Sequence, residues 1–327
     1  MNRRDFLLTA TAVGLVATLG MEARAQGSPD PSTKLIVADQ SELVRNLLEA
    51  SGEDDALGFE IEFPNFAGGP AILEAMRAGA LDIAYVGDTP PIQARAAGTM
   101  LPIVATFTRE VAQYRLTSRP GLVINDLKEL KGKKLSYVEG SGRQVFLIEA
   151  LNRAGLALDD VELVNLRVAD LADAIRSSAV DVAVLQEPHV TRLVNQVGAS
   201  PVLDPEERKL LASTSYFYAR PEVLADPNKS AAIEQFIGAF VRAGKWSNAN
   251  AEAWGNYYYI GFQRVSAEDT KAILTAQSPM VFQTSAEAIP HHQTLIDILY
   301  QAGSLKDRLD ASGSFVDSFD SIIAAER

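Results

Sequence analysis

The 327-residue sequence contains no cysteine, which excludes disulfides, thiolate metal sites and a lipid-modified N-terminal cysteine. Histidine is nearly as scarce, with three residues. Two of them, His291 and His292, are adjacent, and neighbours cannot present both rings to one metal as an i, i+4 helical pair does. No metal site is expected. Basic residues are outnumbered, 30 against 42 acidic ones, for a formal net charge of -12; nucleic acid and anionic lipid are thereby disfavoured as partners. No Ser-His-Asp order, phosphate loop or dinucleotide fingerprint stands in a strand-to-helix context. That argues against an enzyme, and no cofactor is expected. A repeat stalk and exposed apolar tracts are missing too, so an adhesive role has no support.

What is present begins at residue 1. MNRRDFLL leads into an apolar stretch from Thr9 to Gly20, then Ala23-Arg24-Ala25. A basic start, a short uncharged core and a small-x-small site are the three parts of an export signal, and the core is too short to span a bilayer. Residues 1–25 are therefore expected to be removed. Arg3 and Arg4 ahead of Asp5-Phe6-Leu7 resemble the twin-arginine signature, with Asn2 and Leu8 departing from its usual residues. A periplasmic location follows from either export route.

Beyond residue 25 the chain exceeds a usual single domain, and its 47% apolar content suits an α/β interior. Short β-like runs alternate with helical patterns: Lys34 to Ala38 then Leu43 to Ala50, Phe59 to Phe63 then Ala71 to Ala78, Leu81 to Val86 then Pro91 to Ala97. This predicts right-handed βαβ units on a parallel sheet. The same grammar restarts at Lys134 and runs to Val197. Ala75 to Val86 also aligns with Ala174 to Leu185, with Asp82 over Asp181, as two like lobes would require. Ile103 to Thr117 would carry the chain out of the first lobe and Leu210 to Arg220 would bring it back. The expected division is 34–118 plus 210–327 for lobe one and 122–205 for lobe two, with ligand between them at the carboxyl ends of the strands.

Three strand-to-helix junctions draw attention: Phe66 to Ala71, Gly87 to Pro91, and Glu139 to Gln144. Free backbone N–H groups and the positive end of a helix dipole suit a compact oxyanion. The plainer reading is that Gly68, Gly140 and Gly142 serve tight turns while Pro70, Thr89 and Ser141 start helices.

The segments FAGGPAILEAMRAGALDIAYVGDTPPIQARAAG (66–98), DLKELKGKKLSYVEGSGRQVFLIEALNRAGL (126–156), AVDVAVLQEPHVTR (179–192) and IPHHQTLIDILYQAGSLKDRL (289–309) resemble periplasmic binding proteins of the aliphatic-sulfonate, taurine and nitrate type. The resemblance implies an α/β, two-lobed type II binding-protein fold with a two-strand hinge. It also implies capture of a small anionic solute, such as an aliphatic sulfonate or taurine, by a monomer that delivers it to an ABC permease in the inner membrane. Nitrate, a thiamine-pyrimidine precursor or an aromatic carboxylate or sulfonate are the alternatives on the same fold. The related pyrimidine synthase carries a cysteine-rich motif that this chain lacks. By matching position, ligand contacts would come from Gln40, Gly69 with the Ala71 N–H, Asp88 and Thr89 in lobe one, and from Ser141, Gly142, Arg143 and Gln144 in lobe two. Arg143 either forks onto a sulfonate or carboxylate or faces solvent. Asp88 either meets an ammonium or hydroxyl of the solute or caps a helix. Glu187 and His189 follow the last strand of lobe two, and Tyr216 or Phe217 on the return segment would supply an apolar wall.

Overall fold

The computed structural model describes residues 28–66 and 68–327, so the expected export signal lies outside the described residues. The chain opens with β1 (Lys34–Gln40), α1 (Leu43–Ser51), β2 (Glu60–Glu62), β3 (Asn65–Phe66), α2 (Gly69–Arg77), β4 (Ile83–Gly87), α3 (Pro90–Ala96) and β5 (Ile103–Arg109). A second run holds β6 (Tyr114–Ser118), β7 (Lys134–Tyr137), α4 (Gly142–Ala154), β8 (Glu162–Asn165), α5 (Val168–Arg176), β9 (Val182–Gln186), α6 (His189–Val197) and β10 (Ser200–Pro201). The chain then returns through β11 (Ser213–Ala219), α7 (Pro221–Ala225), α8 (Pro227–Ala249) and α9 (Ala251–Trp254), which runs on as a π-helix over Gly255–Phe262. It finishes with α10 (Ala267–Ala276), β12 (Val281–Gln283), α11 (Ser285–Gln301) and α12 (Asp320–Glu326). Among the described residues no helix is long and apolar enough to cross a membrane.

Two sheets form, in the order β12-β5-β11-β4-β1-β2 with β3 also on β1, and β10-β6-β9-β7-β8. The βαβ units pair in parallel as the alternation predicts: β1 with β2 and β4, β7 with β8 and β9. The strands at the crossings run the other way. β11 lies antiparallel between β4 and β5, and β6 antiparallel to β9 and β10. Each sheet is therefore mixed, a correction to the fully parallel expectation. The reason is that β5, β6 and β11 carry the chain between lobes instead of closing a helical crossover, so nothing forces them into the parallel direction.

The aligned pair Asp82 and Asp181 plays one role twice. Each stands just before the central strand of its unit. Asp82 accepts from the Ile36 N–H at 2.9 Å and from Lys229 Nζ at 2.5 Å, with Arg220 at 3.5 Å. Asp181 accepts from the Lys134 N–H at 3.0 Å and from Arg119 Nε at 3.0 Å. In both lobes a carboxylate thus ties the helix-to-strand turn to the neighbouring parallel strand, which explains why the two stretches look alike.

Two chain crossings join the lobes, through 110–113 and 202–212. A third connection is an apolar seam: Val145 and Ile148 on α4 pack with Ile92 on α3 and with Leu295, Ile296 and Leu299 on α11. The lobes also touch at Gln144 Nε2, which donates to Ser304 Oγ at 3.3 Å, at Asn195 Nδ2, which donates to Asp269 at 2.5 Å, and through Arg192, which donates to the Gln263 carbonyl. The arrangement is a closed one.

Candidate functional site

Between the lobes lies a cavity of about 200 Å³. The ends of β1, β4, β5 and β9, the first crossing and the π-helix line it, so it sits where open α/β sheets place their ligands. The helices beginning at its rim, α1 and α6, do not offer it their N-termini. Asp39, fully buried, accepts from the Val44 and Arg45 N–H groups at 3.0 and 2.9 Å. Burial lifts its carboxyl to about 6, against those two hydrogen bonds. The Glu187 carboxylate likewise accepts from the Thr191 N–H at 3.1 Å. Both positive helix ends are already met by acids of the chain.

The free positive charge comes instead from arginine. Arg109, the last residue of β5, is half-buried on the cavity wall, and its Nη1 donates to the Ser278 carbonyl at 2.5 Å. Among the described residues it forms no salt bridge, although desolvation weighs against its charged form. Arg208 donates to the Ala276 carbonyl at 2.9 Å and also lines the cavity. Arg115, by contrast, is neutralised by buried Glu207 at 2.6 Å. A guanidinium held by a carbonyl keeps its charge and several donors for an oxyanion. Ser213 and Ser215 of β11 and Gln113 of the crossing supply neutral polar groups on the same wall.

Aromatic rings form another part of the wall. Tyr85 lies parallel to Phe107, with 6.0 Å between centroids and 4° between planes. Trp254 stacks on Tyr258 at 4.7 Å and 8°, and Tyr258 meets Tyr259 at 5.2 Å and 71°. The π-helix sets this group in place. Tyr258 donates from its hydroxyl to the Ser41 carbonyl at 3.0 Å, and the Tyr259 hydroxyl accepts from Gln277 at 2.6 Å. π-Helical turns are rare and cluster at functional sites.

Of the residues expected from the sequence, Gln40, Glu187 and His189 line this cavity. His189 is held below its ordinary pKa, first by desolvation and then by Arg192. Asp88, Thr89, Ser141, Gly142 and Arg143 form a separate group on the seam where the lobes touch. Asp88, 4% exposed, accepts from the Thr89 hydroxyl at 2.8 Å, and burial raises it to about 6. A Cβ built on Gly142 would stand 2.6 Å from Asp88 Oδ1 and 2.9 Å from the Tyr114 hydroxyl, so glycine permits the closure. Ser141 caps α4, accepting from the Arg143 N–H at 3.3 Å and donating to the Val138 carbonyl at 2.7 Å. Arg143 faces neither solvent nor the cavity. It is 3% exposed with its guanidinium carbon 5.1 Å from the Tyr114 ring centroid, and Nε has no partner among the described residues. Tyr114 stands between this seam and the cavity and lines both.

Gly69, Gln144 and Tyr216 also stand outside the cavity. Gly69 packs inside lobe one, where a Cβ would come 2.4 Å from Pro90 Cγ, and it does not reach the cavity. Gln144 is spent on the Gly140 N–H at 2.9 Å and on Ser304. Tyr216 is fully buried on the other face of β11, its hydroxyl 3.0 Å from His292 Nδ1. Strand parity decides this last case: Ser213 and Ser215 face the cavity, so Tyr216 points away. Phe217 has the cavity's parity but lies deeper, in the core behind Tyr85, 5.6 Å between centroids.

Two sheets with a cleft between them and a double crossing define the class: this is the two-lobed fold of periplasmic binding proteins. The particular family follows from sequence. The NMT1/THI5 like family model matches residues 54–253, and the chain belongs to that family. A protein of Escherichia coli (strain K12) named for aliphatic-sulfonate binding is 26% identical over 246 residues, 75% of this chain and 73% of that protein. The alkanesulfonate-binding protein SsuA from Xanthomonas axonopodis pv. citri, solved with MOPS, superposes with a TM-score of 0.78 at 20% identity, over 89% of this chain and 99% of that one. The desulfurization enzyme DSZB shares the fold more distantly, with a TM-score of 0.60 at 17% identity over 90% of this chain and 99% of its own.

Proposed function

We propose that the chain is the periplasmic solute-binding subunit of an ABC importer and captures an organic sulfonate by closing its lobes. The observation that carries this reading is Arg109, a guanidinium on the cavity wall with no carboxylate partner among the described residues. A permanent anion with three equivalent oxygens suits such a fork, with the serine hydroxyls of β11 beside it. The names of the E. coli and Xanthomonas relatives point the same way. Export by the twin-arginine route, action as a monomer and delivery to an inner-membrane permease belong to this reading. Solute bound between the lobes favours the closed form by its difference in affinity for the two states. Catalysis is no part of it: the chain has no cysteine nucleophile, and the acids at the cavity rim serve as helix caps.

The test is a thermal-shift panel on the purified protein with alkyl and aryl sulfonates, taurine, nitrate, sulfate and matched carboxylates. A ligand that binds only the folded state raises the melting temperature, by RT ln(1 + [L]/Kd) in free energy. The expected result is a rise with sulfonates and none with the matched carboxylates. A rise with nitrate or a carboxylate alone would overturn the sulfonate assignment.

A further inference from the structure

The sulfonate reading leaves open what the rest of the solute looks like, and the cavity wall bears on that. Six of its 28 lining residues are aromatic, against 7% of the chain as a whole. Most of these rings are packed against one another, but Tyr85 is not fully covered. It is only half-buried, and it lines the cavity. Phe107 lies parallel to it at 6.0 Å, and Phe217 contacts it at 5.6 Å, which holds the ring as a fixed platform. Arg109 stands two residues beyond Phe107 on β5, hence on the same face of the strand, and both line the cavity with Tyr85. An anion-binding fork and a flat apolar face therefore stand side by side.

Resting on the sulfonate reading, we propose that the solute is a one-ring aryl sulfonate, its headgroup on Arg109 and its ring against Tyr85. Flat rings gain from offset or edge-on contact with other rings beyond their buried area, which a short alkyl tail cannot match. The cavity of about 200 Å³ is smaller than the roughly 300–1,000 Å³ usual for drug-sized ligands, which limits the solute to a single ring.

The experiment is calorimetric titration of the purified protein with benzenesulfonate, cyclohexanesulfonate and ethanesulfonate. Benzenesulfonate is expected to bind about tenfold more tightly than either of the others. In Tyr85→Leu, which keeps apolar bulk and removes the ring, that preference should shrink toward parity, and a preference kept in full would overturn the assignment to Tyr85. Ethanesulfonate binding as well as benzenesulfonate to the unaltered protein would overturn the ring assignment and leave the sulfonate reading standing. Failure of all three to bind would overturn the sulfonate reading itself. The comparison within the unaltered protein needs no variant to fold.

Discussion

Replacing Gly142 by alanine tests whether the seam between the lobes is the closed state that traps solute. The backbone there has ordinary helical geometry at the first position of α4, so alanine is tolerated locally. The new methyl group would nonetheless lie 2.6 Å from Asp88 Oδ1 across the lobes and 2.9 Å from the Tyr114 hydroxyl on its own side. Neither neighbour yields easily. Asp88 is short, 4% exposed and held by Thr89, and Tyr114 is buried against Phe146 at 5.9 Å between centroids. Forcing a methyl group into packed surroundings costs about 1–3 kcal/mol. The Asp88 clash exists only when the lobes meet, so most of that cost falls on the closed form. At 1.4 kcal/mol per factor of ten, ligand affinity should fall about 5- to 100-fold. Titration calorimetry gives the change in Kd, and the melting temperature without ligand checks that the fold survives. An affinity within twofold of the original, with the fold intact, would refute the reasoning, because closure would then not bring Asp88 onto Gly142.

Two further outcomes follow from buried carboxylates. Asp82→Ala leaves Lys229 and Arg220 without their shared partner, 6% exposed, and should cost about 3 kcal/mol. That is a melting-temperature drop of roughly 6–12 °C for a unit of this size. Asp181→Ala, whose side chain is 27% exposed, should cost less than half as much, and equal drops would contradict the account. Asp88 has its folded pKa raised by burial to about 6 from 3.8, so its neutral form favours the closed seam. Stability from this group is full at low pH and is lost as pH rises from about 4 through about 6. Solute should therefore bind more tightly at pH 5 than at pH 8, and Asp88→Asn should flatten that dependence. An unchanged slope in the variant would remove Asp88 from the coupling.

The alternating units were legible because parallel βαβ segments leave dense local signals. Lys34 to Ala38 and Leu43 to Ala50 come within two residues of β1 and α1. The antiparallel course of β11 was not legible, since it depends on where the chain re-enters lobe one, many residues from the strands it joins. Gln40, Glu187 and His189, which line the cavity, stand at or just after strand ends, where a reading of the sequence looks for contacts. Arg109 and Tyr85 line the same cavity but do not stand out in the sequence, because β5 reads as a connection and Tyr85 as one more apolar strand residue. Arg109 alone carried a usable sign, a charge closing an otherwise uncharged strand. The run Trp254 to Tyr259 has neither a 3.6- nor a 2-residue period, and a π-helix has no simple pattern to announce it. Tyr216 failed by a single step of strand parity.

The most direct test of the central claim is calorimetric titration of Arg109→Gln beside the unaltered protein with a sulfonate that the latter binds. Glutamine keeps a donor for the Ser278 carbonyl and removes the charge. A charged hydrogen bond to the solute is worth about 1.5–3 kcal/mol, so the account predicts a loss of about 10- to 150-fold in affinity with little change in ligand-free melting temperature. An unchanged Kd would contradict it and place the anion elsewhere in the cleft.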